Sequence, residues 1–204
     1  MANDQKNHWE NVYETKNPDQ VSWTQEKPQT SLDLINSCGL GKEAKIIDIG
    51  GGDSNLVDFL LEEGYKNITV LDISAKALEK AKQRLGKNAE KIQWVTTDIT
   101  EFNPSEAYDI WHDRAAFHFL TTPEQISKYI DIAEKNITGF MILGTFSKNG
   151  PTQCSGLDIQ QYDEESLSKI FGNDFEKIKC STEDHTTPFG TTQNFVFCHF
   201  KKHA

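Results

Sequence analysis

The sequence predicts an α/β protein with a mostly parallel β-sheet that carries helices on both faces. From residue 45 to residue 146, short apolar segments typical of buried strands alternate with longer segments in which apolar residues recur at helical spacing. Strands that alternate with helices form parallel sheets with right-handed crossovers. Two more strands are predicted near the C-terminus with only a turn between them, so this pair must be antiparallel.

The predicted elements follow one another along the chain in a regular order. Strands are predicted at residues 46–49, 68–72, 92–97, 108–111, 140–146, 175–182 and 193–201. Core helices are predicted at residues 56–61, 75–85, 123–136 and 163–171, and Ser74 and Gly86 have the residue types that cap the second of these. Residues 147–162 have no clear period and are predicted to form a long loop, and residues 183–192 a turn.

The 44 residues before the first core strand have a different character. Trp9 and Tyr13 belong to a partial helical stripe, which breaks at residues 17–20, and a second helix is indicated between residues 28 and 38. We therefore predict one domain over residues 1–204, with residues 1–44 as a helical extension or lid and residues 45–204 as the core.

The composition is that of an ordinary globular protein, with 36% hydrophobic residues, 25% charged residues and a net charge of −10. This charge argues against a general nucleic-acid or anionic-membrane binder, because those surfaces attract an excess of lysine and arginine. No apolar run approaches the ~18 residues of a membrane span, and the polar first residues do not resemble a secretory signal. The four cysteines form no C-x-x-C pair, so we predict no metal site, free thiols and a cytoplasmic location. The sequence is compatible with a monomer or a dimer.

The most informative stretch is residues 46–54, IIDIGGGDS, in which an apolar strand runs into three consecutive glycines and then into a helical pattern. Glycine tolerates positive φ and has no Cβ, so such a turn lets a ligand approach the backbone at a helix N-terminus. Acids stand at the ends of the first three strands, at Asp48, Asp72 and Asp98. In a parallel sheet all three lie at the carboxyl edge, where open α/β sheets bind ligands.

These segments resemble known motifs. Asp48-Ile-Gly50-Gly-Gly52-Asp-Ser54, Leu71-Asp72-Ile73-Ser74 and Thr97-Asp98-Ile99 are similar to motifs I to III of class I S-adenosylmethionine-dependent methyltransferases. The resemblance covers residues 45–200 and implies a Rossmann-like, seven-stranded sheet of order 3-2-1-4-5-7-6 with the last strand antiparallel. Residues 7–35 and 108–120 also resemble a group of small bacterial methyltransferases with few substrate assignments. Ser54 departs from the family pattern, where many members have a glycine, but serine is small enough for a modest adjustment.

The resemblance implies S-adenosylmethionine as the cofactor. Asp72 is expected to accept hydrogen bonds from both ribose hydroxyls, and Asp98 from the adenine amino group. The glycine turn would let the backbone approach the methionine moiety, and Asp48 would orient that turn or a cofactor amine. The expected cofactor-binding residues are Asp48, Gly50, Gly51, Gly52, Asp72, Ile73, Asp98, Ile99 and Trp23. The structural alternative is that each acid only caps the helix that follows it.

The methyl acceptor is expected to bind among residues that overhang the same edge. The fourth strand and the turn after it contribute His112, Asp113, Arg114, Phe117 and His118. We expect His112, Asp113 and His118 to be catalytic, with a histidine as the base if the acceptor loses a proton. Arg114 is expected to bind an anionic group and Phe117 to contact the acceptor. The alternative is that Asp113 and Arg114 form a structural ion pair and that His118 is a core histidine.

Other segments are also predicted to reach this edge. Cys154 in the long loop is expected as a wall residue of the acceptor pocket, and His185 in the last turn as a rim residue. Tyr13, together with Trp9 and Trp23, is expected to close the site, to exclude water and to attract or shield the sulfonium. The alternatives are a solvated turn for His185 and plain packing for the aromatic residues.

These observations predict an enzyme that transfers a methyl group from S-adenosylmethionine to a small molecule by in-line displacement, a reaction that depends on positioning. The alternatives are a protein side-chain methyltransferase, a non-catalytic cofactor-binding partner protein and, least favoured, an NAD-linked oxidoreductase. Dinucleotide-binding turns carry a third glycine where this chain has Asn55. No nucleic-acid or membrane partner is expected.

Overall fold

The structure, a computed structural model, describes residues 2–203, with side chains from residue 4 to residue 203. Nine strands are found in this part of the chain, and seven of them form one central sheet. The strands are β1 (Lys45–Ile49), β2 (Asn67–Asp72), β3 (Ile92–Thr96), β4 (Tyr108–Arg114), β5 (Ile137–Phe146), β6 (Gln153–Cys154), β7 (Leu157–Asp158), β8 (Phe175–Thr186) and β9 (Thr192–Lys202).

Six α-helices in the described residues flank the sheet and its connections. They are α1 (Ala2–Thr15), α2 (Gln29–Ser37), α3 (Leu56–Glu62), α4 (Ala75–Leu85), α5 (Pro123–Asn136) and α6 (Glu164–Phe171). Short 3₁₀ turns lie at Pro18–Gln20, Gly86–Lys91, Ile99–Glu101 and Phe117–Phe119. The predicted cap of α4 is present, because the Ser74 hydroxyl accepts a hydrogen bond from the Ala77 N–H at 3.2 Å. None of the described helices is long and apolar enough to cross a membrane.

The strand order of the main sheet is β3-β2-β1-β4-β5-β9-β8. Counted over its seven strands, this is the predicted order 3-2-1-4-5-7-6. Strands β1 to β5 are parallel, and β9 runs antiparallel to both β5 and β8. Neighbouring strand residues point to opposite faces, so Ile110 packs in the core cluster on one side and Trp111 in the cluster on the other. The predicted fold class is confirmed.

The strands β4 and β8 continue three and four residues beyond their predicted C-terminal ends, which places several expected site residues within strands. In β4, His112 and Asp113 pair with β1 on one side and β5 on the other, so the strand continues to Arg114. In β8, His185 pairs with Gln193, so the predicted turn shrinks to residues 187–191. Residues 147–162 contain the short β6–β7 pair rather than only a loop. Hydrogen bonding to the neighbouring strands determines where β4 and β8 end. The polar side chains in these segments, which suggested turns, do not prevent strand pairing.

Cys180 and Cys198 form a disulfide between β8 and β9, with Cα atoms 4.2 Å apart. The prediction of four free thiols is therefore wrong, and only Cys38 and Cys154 are free within residues 2–203. The bonded cysteines lie 18 positions apart and become directly opposite only through the register of the antiparallel pair. This correction removes free thiols as an argument for a cytoplasmic location.

Candidate active site

A cavity of about 710 Å³ lies at the carboxyl edge of the parallel strands. Its walls come from the ends of β1, β2 and β4, from the residues after β3, and from the N-terminal segment between residues 5 and 31. The volume falls in the range of about 300–1,000 Å³ that is typical of small-molecule sites. The predicted site residues that line it are Tyr13, Trp23, Asp48, Gly50, Gly51, Asp72, Ile73, Asp98, Ile99, His112, Arg114 and Cys154.

The glycine turn after β1 is packed so closely that it has no room for side chains. Gly50 has φ +65°, and a Cβ there would come within 2.6 Å of the Ala116 Cβ. A Cβ on Gly51 would come within 2.6 Å of Asp48 Oδ2, so the Asp48 carboxylate packs directly against the turn. Close packing against the protein therefore requires glycine at these two positions, and both residues line the cavity.

Asp72 is buried at the end of β2. Its Oδ1 accepts a hydrogen bond from the Ser74 N–H at 2.8 Å, so it also caps the start of α4, as the structural alternative proposed. Burial, together with the nearby Asp48 and Glu10 carboxylates, raises the pKa of Asp72 to about 7, although the backbone N–H groups of Ser74 and Gly52 act to lower it. This carboxyl group therefore lacks enough hydrogen-bond donors to stabilise its charge, and two ribose hydroxyls would supply them.

Asp98, which follows β3, also both caps the next turn and lines the cavity. Its Oδ1 accepts hydrogen bonds from the N–H and the hydroxyl of Thr100, both at 2.8 Å. Oδ2 has no partner among residues 4–203. Because Asp98 and Ile99 both line the cavity, this oxygen is available to a donor such as an adenine amino group.

Asp48, His112 and Ser31 form a hydrogen-bonded chain at the cavity wall. The distances are 2.7 Å from His112 Nδ1 to Asp48 Oδ1 and 2.8 Å from His112 Nε2 to Ser31 Oγ. With its proton on Nδ1, the neutral ring donates to Asp48 and accepts from Ser31, so both nitrogens are engaged. Sequence analysis missed Ser31, although its spacing of four from Ile35 places it on the buried face of α2.

The alternation of side chains along β4 decides which of its polar residues border the cavity. His112 and Arg114 share one face, and Asp113 points to the other. Asp113 is fully buried, and its carboxylate accepts hydrogen bonds from two backbone N–H groups of the following turn and from the Tyr129 hydroxyl, at 2.9 to 3.1 Å. The predicted catalytic role of Asp113 is therefore withdrawn, because these contacts make it the residue that fixes the turn after β4. The alternative ion pair of Asp113 with Arg114 is not formed either.

His118, Phe117 and His185 do not line the cavity. The His118 ring is fully buried and stacks on Phe146 with centroids 4.6 Å apart. Burial lowers the pKa of His118 to about 3, so it is a weak base near neutral pH. Phe117 lies in the core, and His185 donates a hydrogen bond from Nε2 to the Ser22 carbonyl at 2.7 Å. We therefore withdraw the catalytic role of His118 and the acceptor contacts predicted for Phe117 and His185.

Aromatic residues of the N-terminal segment cover part of the cavity. Trp9 and Tyr13 of α1 pack with Trp23 and Phe119, with ring centroids 5.1 to 6.3 Å apart. The Tyr13 hydroxyl lies over the glycine turn, because a Cβ on Gly52 (φ +44°) would come within 2.8 Å of it. The same Cβ would lie 2.9 Å from the carboxylate at the end of β2. Gly52 therefore does not line the cavity itself. Tyr13, which was expected on the acceptor side, lies next to the residues expected to bind the cofactor.

Helix α1 is anchored to α4 by Glu10, which sequence analysis also missed. The Glu10 carboxylate accepts hydrogen bonds from the Ser74 hydroxyl and from the N–H groups of Ala75 and Lys76, at 2.9 to 3.1 Å. Partial burial alone would raise the pKa of Glu10, but these hydrogen bonds hold it below its ordinary value. Glu10 thus caps the N-terminus of a helix that begins about 65 residues away. No local sequence pattern shows such a contact.

The strand order, with the glycine turn and the acids at its carboxyl edge, is that of the class I methyltransferase fold. Residues 46–135 match the family described as a methyltransferase domain. This match agrees with the resemblance to class I S-adenosylmethionine-dependent methyltransferases that the motifs indicated.

Individual relatives are similar over part of the chain. The malonyl-[acyl-carrier protein] O-methyltransferase of Anoxybacillus flavithermus is 35% identical over 127 residues, which are 58% of this chain and 47% of that protein. The trans-aconitate 2-methyltransferase of Rhizobium leguminosarum is 26% identical over 132 residues, which are 64% of this chain and 48% of that protein. The chain therefore spans about half the length of these curated relatives.

Solved structures match over nearly the whole chain. An S-adenosylmethionine-dependent methyltransferase from Anabaena variabilis has a TM-score of 0.76 at 17% identity and covers 99% of this chain and 95% of its own. The N-methyltransferase NodS from Bradyrhizobium japonicum, in complex with S-adenosylhomocysteine, has a TM-score of 0.73 at 18% identity and covers 96% and 98%. At such low sequence identities, the structural similarity shows a shared fold only.

S-adenosylmethionine is the cofactor that the resemblance implies, and the residues at the cavity fit it. The glycine turn has no room for side chains, Asp72 is a buried carboxyl group with a raised pKa, and Asp98 Oδ2 has no partner among the described residues. No group of three or more metal-binding side chains could hold an ion within the described part of the chain.

Proposed function

We propose that this protein transfers a methyl group from S-adenosylmethionine to a small molecule. The observation that carries the proposal is one cavity lined both by the expected cofactor residues and by Arg114, Cys154 and the aromatic residues of the N-terminal segment. A donor and an acceptor bound in the same enclosed space can react by direct displacement, without a covalent enzyme intermediate.

The chain's own residues would bind and orient the two reactants. When bound, S-adenosylmethionine supplies an electrophilic methyl group on a sulfonium. Asp72 and Asp98 would fix the adenosine end, and the backbone of the glycine turn would receive the methionine end. Trp9 and Trp23 would exclude water from the space above the turn, which strengthens every electrostatic contact inside it. His112 would influence the acceptor only through Ser31, because its ring nitrogens are already hydrogen-bonded.

The relatives support a small acceptor. By name, two of them act on malonyl-[acyl-carrier protein] and on trans-aconitate. A protein side chain is the second candidate, because relatives from Mus musculus and Bos taurus, each 23% identical, are named eEF1A lysine and N-terminal methyltransferases. Helix α1 lies over the cavity in this structure, and a protein substrate would have to displace it, so we favour the small molecule.

Calorimetric titration tests the cofactor half of this proposal. We expect wild-type protein to bind S-adenosylmethionine and S-adenosylhomocysteine and not NAD⁺. Asp72→Ala should weaken binding by about 100-fold or more, because two hydrogen bonds to a charged group are lost. Asp131→Ala, which removes an exposed acid on α5, is the matched control and should bind normally. Absence of binding by the wild type, or normal binding by Asp72→Ala, would refute the assignment.

A further inference from the structure

Arg114 brings a positive charge to the cavity without a partner of opposite sign. Its side chain lines the cavity wall, and it forms no ion pair with any residue between 4 and 203. Nη1 donates a hydrogen bond to the Trp23 carbonyl at 3.0 Å, and the guanidinium carbon lies 4.8 Å from the centre of the Phe195 ring. Nε is buried and has no hydrogen-bond partner.

The chain's other arginine shows what a satisfied guanidinium looks like here. Arg84 also borders the cavity, but it forms ion pairs with Asp53 and with Asp58. Arg114 has only distant acids, and burial lowers its pKa to about 10, a value at which it is still charged near neutral pH. A partly buried charge that is not paired is costly. The charge on Arg114 is therefore best explained by an anion that enters the cavity.

We propose that Arg114 binds the carboxylate of the methyl acceptor, so that the acceptors are small carboxylic acids. This inference rests on the proposed function. Nη2 forms no hydrogen bond with the described residues, so it is the guanidinium nitrogen that can donate to a carboxylate oxygen in the cavity. The contacts with Trp23 and Phe195 hold the side chain in place before the ligand arrives, which lowers the entropy cost of binding.

The rest of the cavity agrees with an acceptor that is already ionised. A carboxylate with a pKa of about 4 has lost its proton at neutral pH, so its methylation needs no base. Of the described residues, His112 is the one histidine that lines the cavity, and both of its nitrogens are engaged. Asp113 and His118 point elsewhere.

The transfer step then balances without a proton. One oxygen of the acceptor carboxylate donates an electron pair to the methyl carbon, and the new O–C bond forms as the C–S bond breaks. The electron pair of the broken bond stays on sulfur, so the sulfonium becomes a neutral thioether and the carboxylate a neutral ester. The ester no longer carries the charge that Arg114 binds, and this favours release of the product.

A carboxylate has two possible sources, because the methionine end of the cofactor also carries one. The two sources can be separated with S-adenosylhomocysteine and 5′-methylthioadenosine, which lacks the amino-acid end. If Arg114 held the cofactor, Arg114→Gln would weaken binding of the first compound and not of the second. If Arg114 holds the acceptor, both affinities stay within about twofold of wild type.

The second experiment tests the acceptor with a panel of mono-, di- and tricarboxylic acids, each compared with its amide. Binding to wild-type protein and to Arg114→Gln is measured by calorimetry with and without S-adenosylhomocysteine, and methyl esters are detected by mass spectrometry with S-adenosylmethionine present. We expect wild type to bind and methylate acids but not their amides, and Arg114→Gln to lose about 100-fold in kcat/KM. Arg84→Gln, which removes the paired arginine, is the matched control and should retain its affinity for the acids.

The outcomes separate this inference from the proposed function. If wild type binds no acid of the panel, or methylates amines or thiols instead, the carboxylate assignment is overturned while cofactor binding stands. Failure to bind S-adenosylhomocysteine would instead overturn the proposed function. Thermal unfolding of ligand-free Arg114→Gln gives a further check: removal of an uncompensated charge should leave the protein at least as stable as wild type, whereas loss of a structural arginine would lower its melting temperature.

Discussion

Asp72 links cofactor binding to pH. Burial raises the pKa of this carboxyl group to about 7 in the ligand-free protein, and donors such as ribose hydroxyls stabilise only its ionised form. Binding therefore requires the proton to leave. We expect the affinity for S-adenosylhomocysteine to be constant above about pH 8 and to fall about tenfold per pH unit below pH 7, as measured by titration calorimetry.

The raised pKa of Asp72 also determines the direction of proton exchange on binding and of the pH dependence of stability. Near pH 7 binding should release a proton, which calorimetry in buffers of different ionisation enthalpy detects. Because the pKa of Asp72 lies above its ordinary value of 3.8, the contribution of Asp72 to stability is fully present below about pH 4 and is lost as pH rises through 7. Asp72→Asn cannot titrate, so its weaker binding should not depend on this proton. An affinity that stays flat between pH 6 and pH 8 in wild type would contradict the account.

The three polar residues at the end of β4 show how far the candidate site could be predicted from sequence. Their position at the carboxyl edge followed from the strand–helix rhythm. Side chains alternate between the two faces of a strand, so a predicted strand that ran three residues past Trp111 would also have shown which of these residues lie on which face. The partners of Asp113 could not be predicted, because Tyr129 belongs to a helix whose distance from β4 is set by the packing of the whole core.

At the scale of elements, the helix α1 depends on Glu10 for its place over the cavity. Glu10 supplies a charged cap to α4, and replacement of a capping side chain costs about 0.5–2 kcal/mol. We expect Glu10→Gln to loosen α1 without unfolding the core. The measurement is hydrogen exchange, in which the amides of α1 should exchange faster, together with the dissociation rate of S-adenosylhomocysteine, which should increase.

Glu14 provides the matched control for this prediction. It lies on the same helix and pairs with Lys76 of α4, but the pair is exposed and such pairs contribute little. Glu14→Gln should therefore leave both rates close to wild type. Equal effects of the two variants would mean that charge on α1, and not the cap made by Glu10, holds the helix in place.

Elements with strong internal patterns were predicted well, and their ends were not. The helix α5 runs over the predicted residues, because a capping box at Thr122 and a proline mark its start and the apolar stripe marks its length. The strand β8 was predicted four residues too short, since Glu183 to Thr186 are polar and only their pairing with β9 makes them a strand. Local patterns thus specify elements, and tertiary contacts specify where those elements stop.

At the scale of the whole molecule, the fold order came from a family resemblance, and the closing strands carry a feature that the resemblance did not include. Cys180 and Cys198 are separated by 18 positions, and a bond that closes a loop of this length stabilises a protein by about 3 kcal/mol in the chain-entropy account. Because β9 lies between β5 and β8 in the main sheet, we expect this stabilisation to act on global unfolding and not only on a frayed edge.

Urea unfolding of wild type with and without a reductant tests this expectation. Reduction should lower the free energy of unfolding by about 3 kcal/mol, and the Cys180→Ser, Cys198→Ser double variant should match reduced wild type and not respond to the reductant. The free cysteines Cys38 and Cys154 cannot produce this effect, since they are buried in separate core clusters. Alkylation of the unfolded, unreduced protein should label two thiols. Labelling of four thiols, or an unfolding curve that ignores the reductant, would show that β8 and β9 are joined by their hydrogen bonds and packing alone.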